Sequence, residues 1–194
     1  MYDGCVSRSD PFAFLAQEGA QHDVIQGLRS VGSDWSTIWS GCQRGDWLLG
    51  IAIRLGVDRV SLVRAAIGCA RTALDLFEGP EAKALLDLAE RWTRAEATTA
   101  EVAVAKRALE TAAARANDPS VDAAGQAAQA VAMGIVDHDT DVLASAPAFA
   151  AQATIVATID CGLEMAMGWA HGKTADAVRA AITWDEIEQR TKVA

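Results

Sequence analysis

From residue 46 onward, apolar side chains return at alternating steps of three and four, and only glycine, proline and short polar turns interrupt them. Val60, Val63, Ile67, Ala70, Leu74 and Phe77 make one such seam, and Leu85, Leu88, Ala89 and Trp92 the next. Val102, Ala105, Leu109, Ala112 and Ala116 follow, then Val121, Ala124, Ala128, Val131 and Ile135. This spacing is the period of an α-helix and not the alternation of a strand. The punctuation agrees with it. Gly56 stands where a helix C-terminus wants glycine, Asp58 where the next N-terminus wants a cap, and Gly79-Pro80 and Asn117-Asp118-Pro119 are stops. Residues 46–55 are apolar nearly all round, which predicts burial.

The expected fold is therefore all-α, with about eight or nine helices joined by short links that favour antiparallel neighbours. It is either a helical bundle or a short array of helical hairpins. The 194 residues suffice for one domain with a real core. Residues 1–45 read as a less regular N-terminal region and 46–194 as an alanine-rich helical core. Within that core, Pro147 is expected to open a long apolar helix reaching about Ala170, closed by Gly172, with Thr174 and Thr183 capping two short terminal helices.

Composition narrows the function classes. Hydrophobic residues make up 51% of the chain, which argues against intrinsic disorder. Seventeen Lys and Arg against 26 Asp and Glu give a net charge of −9. Non-specific nucleic-acid binding needs a basic footprint and is disfavoured; a basic protein partner is not. Cys5, Cys42, Cys69 and Cys161 lack CxxC spacing, and no signal peptide is visible at the N-terminus, so the expected location is cytoplasmic. The uncharged run 142–159 is interrupted by Pro147, Gln152 and several hydroxyl residues, and reads as too polar for a membrane span.

Few residues suggest chemistry. Asp160, Glu164 and His171, on the expected long helix, fall within roughly a 40° arc at 100° per residue. Two carboxylates and an imidazole on one face suit a metal ion or proton exchange; the competing reading is a solvated helix face. Asp137, Asp139 and Asp141 in the run DHDTD begin like a calcium loop, but that loop needs Gly at its sixth and Glu at its twelfth position, where Val142 and Ala148 stand. They read instead as a polar connector available to a partner. Trp35 and Trp39 are one helical turn apart on a short element, as binding anchors often are, although core packing of that helix is the favoured reading. Trp47, Trp92 and Trp169 fall on apolar faces and are expected in the core. No phosphate-cradling Gly-rich loop, GxSxG or HExxH occurs, and no cofactor is implied.

Three successive segments carry a family resemblance: DWLLGIAIRLG, LVRAAIGCARTAL and LLDLAERWTRAEATTAEV. Over residues 46–113 the chain resembles the alanine-rich immunity proteins encoded near bacterial polymorphic toxins. In that family a Cys-Ala-Arg-like helix precedes a helix ending in Trp, then a short Gly-Glu-Ala-Thr-like turn and alanine-rich helices. Cys69-Ala70-Arg71, Trp92 and Glu96-Ala97-Thr98 match, while Ala95 stands where the glycine is usual. The resemblance implies a non-enzymatic inhibitor that neutralises a toxin or other effector by direct binding. Two alternatives stand beside it. One is a phage-encoded counter-defence protein that sequesters a host defence component; the other is a helical metal-binding protein or enzyme built on Asp160, Glu164 and His171. No membrane association is expected, and alanine-rich seams make a homodimer a further expectation.

Overall fold

The computed structural model describes residues 8–77, 79–115 and 118–192. All regular structure among them is helical. Three short helices open the chain: α1 (Pro11–Gln17), α2 (His22–Val31) and α3 (Trp35–Gly41). Then come α4 (Gly45–Arg54), α5 (Arg59–Arg71), α6 (Glu81–Thr93), α7 (Thr99–Ala113) and α8 (Pro119–Val136). The chain closes with α9 (Ser145–Thr158), α10 (Leu163–Ala181) and α11 (Trp184–Thr191). Short 3-10 turns lie at Leu74–Leu76, Asp141–Ala144 and Ile159–Cys161. Eleven α-helices thus replace the expected eight or nine, because the N-terminal region is more regular than its sequence suggests and the long apolar segment is broken in two.

The local signals explain most boundaries. Gly56 follows α4 at φ +75°, and the Asp58 carboxylate accepts from the amides of Val60 and Ser61 to start α5. Asp118 caps α8, with Pro119 in the first turn, where its missing N–H costs nothing. Thr98 and Glu101 form a reciprocal capping box at α7. The exception is the segment after Pro147. Its break falls at Gly162, φ +100°, while Gly172 lies inside α10. Thr174, expected as a cap, is instead buried mid-helix, where its hydroxyl donates to the His171 carbonyl at 2.9 Å. Thr183 does cap α11, accepting from the Glu186 amide.

At the centre is α8, whose buried residues lie all round and are mostly alanine. It packs against α9, α7, α5 and α6, and small side chains let the axes approach. At Gly134 a Cβ would come within 2.2 Å of the Leu143 side chain. One continuous core joins the N-terminal residues Phe14, Leu28 and Ile38 to Leu85, Val131 and Val178. By length and mean hydropathy (1.6) alone, Asp141–Cys161 would serve as a membrane span; here α9 sets Ala146, Ala150 and Ala153 into the core and packs between α8 and α10.

Arginines tie distant elements together. Arg59 reaches the last carbonyls of α8, donating to Gly134 at 2.7 Å and Ile135 at 2.5 Å, and covers the Trp92 ring. These carbonyls have no partner within their own helix. Arg71 stands four residues before Asp75, the spacing of a helical ion pair, but bridges α5 to Asp87 (2.9 Å) and Glu90 (2.5 Å) of α6. The reason is that α5 ends at Arg71 itself, leaving Asp75 in a 3-10 turn.

Candidate functional site

The corner between α9 and α10 departs from the packing elsewhere. Gly162 adopts φ +100°, a region open essentially to glycine, and lets the chain fold back after Cys161. The first two turns of α10 then touch the body through a narrow stripe, with Ala166 and Ala170 buried. The larger apolar residues of these turns stand on either side of that stripe. Leu163 is 53% exposed, Met165 69%, Met167 42% and Trp169 49%; Ile159 (51%) and Val156 (38%) adjoin them. Among the described residues seven large hydrophobics are exposed; these are six of them, and Val104 on α7 is the other. Concentration in one place distinguishes a patch from the scattered apolar surface of any protein.

A concavity of about 330 Å³ lies within the patch, lined by Thr158, Cys161, Met165, Ala166 and Trp169. Its single hydroxyl, on Thr158, already donates to the Thr154 carbonyl at 2.7 Å, so the lining offers an apolar ligand little competition from water. The Lys173 ammonium lies 3.7 Å from the centre of the Trp169 ring and covers one of its faces. Asp160 and Glu164 are exposed at the rim, and neither has an ion-pair partner among the described residues.

The expected triad of Asp160, Glu164 and His171 does not assemble. Asp160 sits in the 3-10 turn before Gly162, Glu164 in the first turn after it, and His171 two turns further along. Among the described residues no group of three or more His, Cys, Asp and Glu is placed to hold a metal ion. The His171 ring is half-buried near Arg44 and Asp46, and its Nδ1 is sealed without a partner. Burial, and then the Arg44 guanidinium, hold the imidazole below its usual proton affinity, against the opposing pull of Asp46.

Trp35 and Trp39 follow the core-packing reading, Trp47 and Trp92 pack against the core as expected, and Trp169 departs from that expectation. Trp35 and Trp39 are core residues, 7% and 4% exposed, and not surface anchors. The Trp35 indole donates to the Arg8 carbonyl at 2.6 Å and meets the edge of Phe14. Trp169, expected in the core, is the exposed one. Asp137, Asp139 and Asp141 are exposed; Asp137 pairs with Lys106 at 3.2 Å, and Asp139 caps the turn that begins at Asp141. They lie at the start of α9, about 20 Å of helix from the apolar corner at its end, so the two sets do not form one surface.

Sequence reasoning passed over Leu163, Met165 and Met167. Their signal was present: with Trp169 they recur every second residue, and on a helix steps of two turn by about 200°. No single core-facing stripe takes all four.

The residues that carry the family resemblance are structural. Cys69 is buried, its thiol pushed well above the ordinary range by desolvation. The Trp92 indole donates to the Thr99 hydroxyl at 3.3 Å. Ala95 adopts φ +58°, the left-handed conformation for which glycine is the natural choice. Comparison with family models, with characterised proteins and with solved structures finds no match for this chain.

Proposed function

We propose that this chain is a non-enzymatic binding protein of the immunity type. It neutralises a toxin or other effector by covering it, and the apolar corner of α9 and α10 is its docking surface. The observation that carries the reading is the exposure of Leu163, Met165, Met167 and Trp169 on the first turns of α10, with Met165 and Trp169 lining one apolar concavity. Leaving such side chains in water forfeits about 1.5–3 kcal/mol for each one that burial would gain, and a partner recovers it. Tryptophan is also the residue most often found as an energetic anchor at interfaces, and methionine adapts its shape to a partner.

Two further features support the reading. The net charge of −9 would steer a basic effector toward the surface and speed association. The resemblance over residues 46–113 points to the same class, with its matched residues serving as scaffold and leaving the α9–α10 corner to carry recognition.

The test is co-expression of this chain with the product of the adjacent open reading frame, scored by survival and co-purification. Rescue of a toxic neighbour together with a stable complex is expected. Trp169→Ala should weaken the complex by at least about 30-fold, the effect of removing a hot-spot residue worth ~2 kcal/mol. A neighbour that is neither toxic nor bound would overturn the reading.

A further inference from the structure

We infer that the element seated on this corner is a basic amphipathic helix of the partner, rather than a second copy of this chain or a lipid surface. The inference rests on the α9–α10 corner being the docking surface. The concavity lies along α10 beside the turn at Cys161, between Met165 and Trp169 on one side and Thr158 on the other. No strand occurs among the described residues, so a partner segment has no sheet edge to extend. A helix laid in a groove, read through apolar anchors one turn apart, suits Met165 and Trp169, which line the concavity and are themselves one helical turn apart on α10. Thioether side chains repack around such anchors.

Charge selects among the occupants. The unpaired carboxylates beside the patch are Asp160 and Glu164; Asp176, further along α10, is already held by Arg179 at 3.2 Å. The nearby cation, Lys173, is placed over the Trp169 ring. A second copy would bring one chain of charge −9 against another and set these carboxylates near their own symmetry mates. An anionic bilayer surface meets the same repulsion. A helix with Lys or Arg flanking its apolar stripe meets attraction at the rim and an apolar seat at the centre.

The experiment titrates the full chain with two labelled helical peptides that share one leucine stripe, one with a lysine polar face and one with a glutamate polar face. Fluorescence anisotropy is read at low and high salt. The lysine peptide should bind at least about tenfold more tightly than the glutamate peptide. Met165→Glu and Trp169→Ala should each weaken it by about tenfold or more without moving the thermal midpoint. Asp160→Asn combined with Glu164→Gln should weaken it and flatten the salt dependence.

Lysine-peptide binding indifferent to Met165→Glu would mean diffuse charge attraction and overturn the inference. So would equal affinity for the two peptides. A dimer in sedimentation, or binding to phosphatidylserine vesicles, that Met165→Glu abolishes would assign the surface to the rejected occupants. Failure here is separable from failure of the functional reading. If Met165→Glu loses the natural partner but neither peptide binds, the surface stands and the helix assignment falls. If Met165→Glu keeps the natural partner, the surface itself is wrong.

Discussion

The two halves of α10 are one continuous helix with opposite surroundings. In the C-terminal half Thr174, Ala175 and Val178 are buried, and the Arg179 guanidinium donates to the Trp39 and Cys42 carbonyls of the α3 end. In the N-terminal half Met165 and Trp169 project into open space. Hydropathy does not predict this division, since the bulkier apolar residues are on the exposed side. What differs is cover: α4 and α5 lie along the second half, where alanine, threonine and glycine permit close approach, and the first two turns extend beyond them. A helix that carries large apolar side chains past the edge of its own core is shaped for something other than its own core.

Substitutions should separate the halves, beginning with the packed one. A Cβ on Gly45 would lie 2.7 Å from the Thr174 carbonyl carbon, against backbone that cannot swing aside. Gly45→Ala should therefore cost about 3 kcal/mol, the upper range for overpacking, seen as a lower urea midpoint with an unchanged slope. At the junction, Gly162→Ala forces a side chain into φ +100° and should cost about 2 kcal/mol. Nothing lies within 4 Å of a Cβ there, so the loss would be conformational and not steric. The same logic runs backwards at Ala95, φ +58°: Ala95→Gly should gain about 1 kcal/mol, and a neutral or destabilising result would contradict the left-handed turn.

The exposed half should respond differently. Trp169→Ala should move stability by no more than about 0.5 kcal/mol, as surface substitutions do, while removing partner binding. A loss near 3 kcal/mol, the cost of truncating a core aromatic, would place the indole in the core after all. The smallest effect concerns His171, where the two halves meet. Its proton affinity is lowered in the folded chain, so the unfolded chain takes up a proton more readily as pH falls through about 6.5. Its contribution to stability is present above that value and lost below it. Urea midpoints at about pH 8 and about pH 5.5 should therefore differ more for the wild type than for His171→Asn.

Much of the fold was legible because helix stops are local. Gly56 ends α4 and Asp118-Pro119 opens α8 where the sequence says they should, through their own backbone preferences; the seam expected to run to Phe77 as one helix instead closes at Arg71, ahead of Gly79-Pro80. The break at Gly162 was not legible in the same way. Gly162 and Gly172 are alike locally, and an uncharged stretch before Gly162 reads as continuous helix. Gly172 is kept in α10 by the company of its turn, with Gln43 close by and Thr174 against Gly45. That is tertiary information. The tryptophans depend on tertiary information in the same way. Trp35 and Trp39 are buried because α1 and Arg179 close over a helix too short to declare a face, and Trp169 is exposed because α10 outruns its neighbours. The every-second-residue pattern from Leu163 to Trp169 was the one local hint of the site, and it is readable only against the period of the helix that contains it.

The most direct test of the central claim is retention of the co-expressed neighbouring gene product by the wild-type chain and by Met165→Glu, with thermal midpoints measured in parallel. The account predicts a stable complex with the wild type, loss of that complex with Met165→Glu, and equal midpoints for the two chains. Retention of the partner by a folded Met165→Glu chain would contradict it.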